Sequence, residues 1–155
     1  MKLLHGLCAA FAMYSALPTP QIAWGGDSLR WALACFPLVG AVLGGLFWGW
    51  GWLASWLGLG APLTAAVWLC LIVGVSGGIH LDGFCDTADA LASHQPAARK
   101  LEILKDSHVG AFAVIGCGLY LLLYFALLCE LPPASPASAV VAVGFIFSRA
   151  ASALG

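Results

Sequence analysis

Residues 31–56 read WALACFPLVGAVLGGLFWGWGWLASW and contain no Asp, Glu, Lys or Arg. The apolar run continues to Leu81, and within residues 31–81 only His80 has a side chain that gains a charge near neutral pH. A helix needs about 20 apolar residues to cross a bilayer. The stretch therefore predicts membrane-crossing helices, and it makes the expected fold all-α, a polytopic integral membrane helical bundle.

The composition of the whole chain agrees with this expectation. Of its 155 residues, 62% are hydrophobic and 8% are charged, whereas a soluble domain has about 25% charged residues. The formal net charge of -1 leaves no basic surface for a nucleic-acid backbone. We therefore expect a single membrane domain over residues 1–155, surrounded by the lipid bilayer and without a nucleic-acid partner.

Hydropathy and helix-breaking residues divide the chain into about four membrane helices. Gly and Pro clusters interrupt the apolar pattern at residues 58–62 and 131–136. The N-terminal apolar stretch at residues 3–17 is short for a crossing, so we expect it to lie in the interface or to re-enter the membrane. The predicted crossings lie at residues 31–56, 62–79 and 109–129, and in a last stretch that starts at Ala137.

The basic residues predict which way the chain faces. Arg30 precedes the first predicted crossing, while Arg99, Lys100 and Lys105 lie between the second and the third. Two crossings separate these positions, so they share one side, and Lys and Arg are enriched on the cytoplasmic side of membrane proteins. We expect that side to be the cytoplasm, and we expect the loop with Glu130 to face outward.

Small residues recur along two of the predicted crossings. Gly40, Gly44 and Gly45 lie in the first of them, and Gly116 and Gly118 lie in the third. Small side chains allow helix backbones to approach closely in lipid. We expect these glycines to serve helix packing.

Polar residues are concentrated in residues 77–110, which we take as the catalytic segment. Charged side chains in or beside a membrane usually face a cavity, a partner or an ion. The alternative is a solvated loop in which the acids pair with neighbouring Arg and Lys side chains. The titratable acids and histidines of the segment are Asp82, Asp86, Asp89, Glu102 and Asp106, with His80, His94 and His108.

The spacing of three of these acids favours a metal site. Asp82, Asp86 and Asp89 stand at i, i+4 and i+7, which on a helix places them within about 60° of one another. Their like charges repel, and a divalent cation removes that repulsion. Carboxylates suit Mg²⁺, with Mn²⁺ as an alternative, and Mg²⁺ binds few carboxylates together with substrate phosphates. The pattern predicts a metal–diphosphate site, to which Asp106 adds a fourth carboxylate.

Four further side chains are candidates for substrate contacts. His80 fits a base, a metal ligand or an interfacial residue equally well. Lys105 offers a positive charge for a phosphate, and Ser107 either contacts substrate or caps the following helix. Arg149 interrupts an apolar stretch, and an arginine inside a membrane segment indicates a functional site unless its side chain extends to the interface.

Two longer stretches resemble the signature sequences of a known family. Residues 77–89, GGIHLDGFCDTAD, and residues 101–110, LEILKDSHVG, closely resemble the two signatures of cobalamin synthase, the adenosylcobinamide-GDP ribazoletransferase. Shorter matches at residues 13–20, 36–40 and 148–150 follow in the family's order. The resemblance therefore covers nearly the whole chain.

The resemblance implies a membrane-embedded enzyme of the late stage of vitamin B12 biosynthesis. Such an enzyme transfers the adenosylcobinamide phosphate of adenosylcobinamide-GDP to α-ribazole or its 5′-phosphate, gives adenosylcobalamin or its phosphate, releases GMP and requires Mg²⁺. By this resemblance Asp82, Asp86, Asp89 and Asp106 hold the metal, with Asp89 or Asp106 as the catalytic base. The residues expected to bind substrate are His80, Lys105, Ser107, His108 and Arg149.

The chain also departs from the family pattern. His108 stands where many members have Arg, and Ala90 and Ala113 stand where Gly is common. These differences affect the expected substrate contacts and leave the acidic residues in place. The sequence stops at Gly155 where members continue through further spans, so we expect a truncated product or a fragment. The corrinoid ring needs more wall than four helices provide, so we expect further spans or a second protomer, as in a homo-oligomer, to complete its pocket.

Three other functions stay open at this point. A CDP-alcohol-type phosphotransferase also pairs membrane helices with aspartates, but its usual signature has Ala-Arg after Asp-Gly, where this chain has Phe84-Cys85-Asp86. A divalent-cation carrier would place carboxylates and histidines on an ion path, although the chain shows no internal repeat of the kind that transporters contain. The third is an inactive truncated membrane fragment. The early stop at Gly155 is the only sequence feature in its favour.

Overall fold

The structure, a computed structural model, describes residues 2–21, 25, 27–106 and 108–153, with the side chains of residues 2 and 3 left out. Within these ranges all regular secondary structure is helical, which confirms the predicted all-α fold. The helices follow the chain as α1 (Lys2–Tyr14), α2 (Ser28–Trp56), α3 (Ala61–Val75), α4 (Ile79–Ala92), α5 (Ala97–Ile103), α6 (Ala111–Cys129) and α7 (Pro136–Ser152).

Two helices, α2 and α6, are long and apolar enough to cross a membrane alone. They match the crossings predicted at residues 31–56 and 109–129. The helices α3 and α4 qualify only as a pair, which is bent by 86° and forms either a broken span or a re-entrant loop. Helix α7 is apolar but has 17 residues. In the described part of the chain, the predicted set of about four crossings therefore corresponds to two long apolar helices, one bent pair and one shorter apolar helix. The chain is a helical membrane protein.

The bend between α3 and α4 is made by two consecutive glycines. Gly77 and Gly78 have φ angles of +64° and +75°, in the left-handed region that only glycine adopts readily. Their backbone N–H groups donate to the carbonyl oxygens of Gly74 and Val73 at 3.1 and 3.0 Å and so end α3. The crossing predicted to reach residue 79 therefore stops at Val75, and the residues after the bend begin a new helix.

The main apolar core lies between α2, α3 and α7. Trp68 is fully buried, stacks on Phe47 with ring centroids 4.6 Å apart, and donates its indole N–H to the Phe47 carbonyl oxygen at 2.7 Å. Phe145 of α7 meets the Phe47 ring edge-on at 5.5 Å. This cluster satisfies the one polar group of the tryptophan, which makes its burial favourable, and it packs both α3 and α7 against Phe47.

The N-terminal helix α1 packs along the first half of α2. Ala9 and Ala10 of α1 are fully buried against a group of α2 residues that includes Ala32 and Phe36. At 13 residues α1 is shorter than a crossing, as expected for the N-terminal stretch. Its position in the interface, or as a re-entrant segment, stays a prediction.

Helix α7 approaches α2 closely at two glycines. A methyl group placed on Gly40 would overlap the carbonyl oxygen of Phe145, and one placed on Gly44 would overlap that of Ala142. These two positions confirm the predicted role in helix packing. The remaining glycines of the predicted set have ordinary contacts or none within 4 Å, and they are Gly45, Gly116 and Gly118.

We expect Gly44→Ala to lower the free energy of unfolding by about 1–3 kcal/mol, because the added methyl group forces α2 and α7 apart. Gly45→Ala is the matched control. It adds the same methyl group at the next position, where no atom lies within 4 Å, so stability should stay the same or rise by up to about 1 kcal/mol. Thermal unfolding followed by circular dichroism in detergent measures both, and equal shifts in the two variants would contradict the close contact.

Candidate functional site

The three aspartates of residues 82–89 lie on α4, in the helical arrangement that their spacing predicts. We call Asp82, Asp86 and Asp89 the acidic face. Asp82 is exposed and lies in the first turn, where the helix dipole favours a negative charge. Asp86 is half-buried. Within the described part of the chain, neither Asp82 nor Asp86 forms an ion pair or a side-chain hydrogen bond, so both carboxylates are available for a ligand.

Asp89 has a structural partner that the sequence did not reveal. The backbone N–H of Gly110 donates to its Oδ2 atom at 2.7 Å, and that of Ala113 donates to its Oδ1 atom at 2.8 Å. These groups belong to the first turn of α6, whose N-cap residue is a glycine without a side chain to offer. The first N–H groups of a helix need external acceptors and attract negative charge. Asp89 therefore caps α6 from the neighbouring helix.

Asp106 lies in the connection between α5 and α6 and pairs with His108. Its Oδ1 atom is 2.6 Å from Nδ1 of His108 and accepts the His108 backbone N–H at 3.0 Å. The hydrogen bond from the His108 side chain, and then that from its backbone, lower the pKa of the Asp106 carboxyl below its usual value. Both residues are exposed. The fourth predicted carboxylate thus has a local partner of its own.

The four predicted metal ligands do not form one cluster. Among the described residues, no three Asp, Glu, His or Cys side chains lie close enough together to hold a metal ion. Asp82 and Asp86, one helical turn apart, remain as two carboxylates without partners. Mg²⁺ commonly binds through one or two carboxylates and completes its shell with water and substrate phosphates. The donor set of Asp82 and Asp86 fits a metal ion of that kind.

A second feature is a cavity of about 500 Å³ enclosed by α3, α4, α6 and α7. We call it the arginine cavity. The Arg149 side chain lines it and is only 7% exposed. The arginine therefore faces the protein interior instead of extending to the surface, and its role in a functional site stays a prediction. Further residues of the wall are His80, Phe84, Tyr120, Tyr124 and Ser148.

The arginine cavity and the acidic face lie on different sides of α4. Successive helical residues are rotated by 100°, so Asp82 lies about 160° from His80 around the helix axis. His80 lines the arginine cavity, whereas Asp82 lines a separate surface depression with Gly77 and Gly78. The structure thus brings His80 together with Arg149 and separates both from the acidic face.

The remaining predicted residues lie near the α5–α6 connection. Lys105 is exposed and follows α5. Arg99 and Glu102 form an exposed ion pair one turn apart on α5, so Glu102 has the local pairing expected of a solvated loop. Ser107, predicted to bind substrate or to cap a helix, lies outside the described residues.

The aromatic wall of the arginine cavity was not among the predicted site residues. The rings of Phe84 and Tyr120 are 5.2 Å apart, and those of Tyr120 and Tyr124 are 5.7 Å apart. A signal was present, because the two tyrosines stand at i and i+4 in an otherwise largely aliphatic helix. The sequence alone did not show that α4 packs beside this face of α6, because that contact depends on the bend after α3.

These features define a class, the polytopic helical membrane proteins with an acidic site at the end of a broken membrane segment. The family model described as cobalamin-5-phosphate synthase matches residues 6–155. The chain belongs to this family, as the two signature stretches predicted.

Individual relatives agree with the family match. Proteins named adenosylcobinamide-GDP ribazoletransferase are similar to this chain, with 47% identity in Lachnoclostridium phytofermentans, over 99% of this chain and 58% of the relative. The relative from Halalkalibacterium halodurans is 46% identical over 72% of this chain and 43% of its own length. The relative from Thermosynechococcus vestitus is 40% identical over 87% and 54%. The chain spans about half the length of these relatives. No solved structure matches it.

Proposed function

We propose that this chain acts as an adenosylcobinamide-GDP ribazoletransferase in the last steps of cobalamin assembly. The observation that supports the proposal most is the 47% identity to a relative of that name over nearly the whole chain. The acidic face on α4 suits the chemistry, because a diphosphate donor needs its negative charge neutralised during phosphoryl transfer. The donor is adenosylcobinamide-GDP and the acceptor is α-ribazole or its 5′-phosphate.

The reaction exchanges one phosphorus–oxygen bond for another. The acceptor hydroxyl oxygen forms a bond to the phosphorus that bears adenosylcobinamide, and the bond from this phosphorus to the bridging oxygen breaks. GMP leaves with the bridging oxygen, and a base takes the hydroxyl proton. The products are adenosylcobalamin, or its phosphate, and GMP.

Asp82 and Asp86 would hold the Mg²⁺ ion, or Mn²⁺ in its place. When bound there, the ion would supply positive charge against the diphosphate of the donor. Of the two carboxylates expected as the base, Asp89 already accepts two backbone N–H groups, and we assign it a positioning role. We keep Asp106 as the proposed base, because it is exposed and does not cap a helix.

Residues next to Asp106 complete the proposed donor site. Lys105 and His108 are exposed beside it, and their positive or hydrogen-bonding groups suit a phosphate. Ser107 belongs to the same segment. We place this segment on the cytoplasmic side of the bacterial cell membrane, because Lys and Arg residues, which are enriched on that side of membrane proteins, accumulate in and beside it.

The corrinoid requires more surface than the described helices offer. Only 11% of the apolar stretch of α6 is buried. The helix therefore presents apolar surface to lipid, to further helices or to a second copy of the chain. We propose that further helices or a second copy of the chain complete the corrinoid pocket. A monomeric, active chain of 155 residues would refute this part of the proposal.

The test is a product assay on membranes that contain this chain. Adenosylcobinamide-GDP, α-ribazole and Mg²⁺ are added, and cobalamin and GMP are detected by mass, with the relative from Lachnoclostridium phytofermentans as the positive control. We expect both products. If the relative forms both and this chain, present at equal amount, forms neither, the proposed activity of this chain is wrong. Faster turnover of a labelled CDP-lipid, or metal uptake into proteoliposomes without either organic substrate, would favour the phosphotransferase or carrier alternatives.

A further inference from the structure

Arg149 is a buried cation without a partner in the described part of the protein. Its side chain is 7% exposed, and its Nε atom is buried with no hydrogen-bond acceptor. The Phe145 ring lies 5.6 Å from the guanidinium carbon, which offsets only part of the cost of burying a charge. Burying a charged group is expensive unless it is paired. The position of Arg149 therefore points to an anion that the described residues do not supply.

The walls of the arginine cavity suit an anion attached to a flat ring. No Asp or Glu is among its described lining residues. His80 and Ser148 add hydrogen-bonding groups beside Arg149, and Phe84, Tyr120 and Tyr124 provide an aromatic wall. Aromatic side chains bind planar bases by stacking, and arginine binds phosphate through two parallel N–H groups. A volume of about 500 Å³ lies within the range of small-molecule sites.

We propose that the arginine cavity binds a phosphate monoester on an aromatic nucleoside, with the phosphate on Arg149 and the ring against Tyr120. Given the proposed function, on which this identity rests, the ligand is the 5′-phosphorylated acceptor. The phosphate held here does not react. The cavity lies on a different side of α4 from the acidic face, so the phosphate stays apart from those carboxylates, which would otherwise repel it.

The experiment measures binding by isothermal titration calorimetry on the purified full chain in neutral detergent, without donor and without metal. α-Ribazole and α-ribazole 5′-phosphate are titrated separately. We expect the phosphate to bind at least about tenfold more tightly than the nucleoside, and we expect Arg149→Met to remove this preference. Arg30→Met is the matched control, since it makes the same change at an exposed arginine, and it should keep the preference.

Two results would overturn the inference. One is equal affinity of the unmodified chain for the two compounds, and the other is an unchanged preference in Arg149→Met. If Arg149→Met does not fold, His80→Gln replaces it, and an unchanged preference in this variant likewise counts against the site. Because donor and metal are absent, a chain that forms no cobalamin can still show the preference. Turnover without an Arg149-dependent preference contradicts this inference alone.

A lipid headgroup is the other source of a phosphate, and a competition arm distinguishes it. The titrations are repeated in nanodiscs with neutral lipid and with phosphatidylglycerol. We expect α-ribazole 5′-phosphate to bind comparably in both. Loss of its binding in phosphatidylglycerol, restored by removal of the anionic lipid, would mean that the lipid is the preferred occupant and would overturn the assignment to a nucleoside phosphate.

Discussion

Asp86→Asn is expected to lower the rate of cobalamin formation by at least about 100-fold at equal protein in the membrane. The substitution keeps the size of the side chain and removes one of the two carboxylates proposed to hold Mg²⁺. Loss of one preorganised electrostatic partner of a charged transition state typically costs about 10²–10³ in rate. The measurement is initial rate by mass detection of product, together with Mn²⁺ binding by electron paramagnetic resonance, which should weaken in parallel.

Glu130→Gln is the control for this substitution. Glu130 is exposed at the C-terminal end of α6, away from the acidic face, and the same loss of one negative charge there should leave rate and Mn²⁺ binding unchanged. Asp82→Asn should resemble Asp86→Asn, because the two carboxylates are proposed to act on one ion. Turnover at the unmodified rate in Asp86→Asn would show that the metal is held elsewhere.

Asp89→Ala is expected to lower the free energy of unfolding by about 2–3 kcal/mol. It removes the two carboxylate oxygens that accept the N–H groups of Gly110 and Ala113. Hydrogen bonds to a charged group contribute about 1.5–3 kcal/mol each to stability. Water that takes the place of the carboxylate recovers part of this. Loss of a helix cap alone costs about 0.5–2 kcal/mol. Chemical or thermal unfolding in detergent measures the change.

Two further variants separate this capping role from a catalytic one. Asp89→Asn keeps one acceptor oxygen and should lose about half as much stability. In Gly110→Ala the carboxylate itself is untouched, but the new methyl group lies 2.6 Å from Asp89 Oδ1, so it should displace the carboxylate and destabilise α6 in the same way. If Asp89→Ala kept full stability and lost turnover, the interpretation of Asp89 as a positioning residue would be wrong.

The sequence predicted most of the helices because their signals are local. Long uncharged runs predicted α2 and α6, and a helical face predicted the alignment of Asp82 with Asp86. Close packing of Gly40 and Gly44 followed from the need for small residues where backbones meet. The signal for each of these properties lies within a few residues along the chain, which is the information that periodicity contains, although the partner helix of the glycines is distant in sequence.

What the sequence could not predict depends on contacts between distant segments. The capping of α6 by Asp89 joins residues 21 positions apart, and an aspartate on a helical face looks the same whether it binds a metal or a backbone N–H. The meeting of His80 with Arg149 likewise depends on how α4 turns after α3. Consecutive glycines indicated a turn there, but neither the bend angle nor the side facing α7 follows from Gly77 and Gly78 alone.

The right-angled turn at Gly77 and Gly78 also sets how deep the carboxylates lie. Along α4, Asp82 and Asp89 are about 10 Å apart, at 1.5 Å per residue. If α4 continued straight from an α3 standing upright in the membrane, this spacing would place the carboxylates at widely different depths, the innermost in hydrocarbon. With α3 upright, the 86° turn would instead run this spacing parallel to the bilayer plane. In that orientation all three carboxylates would share one depth.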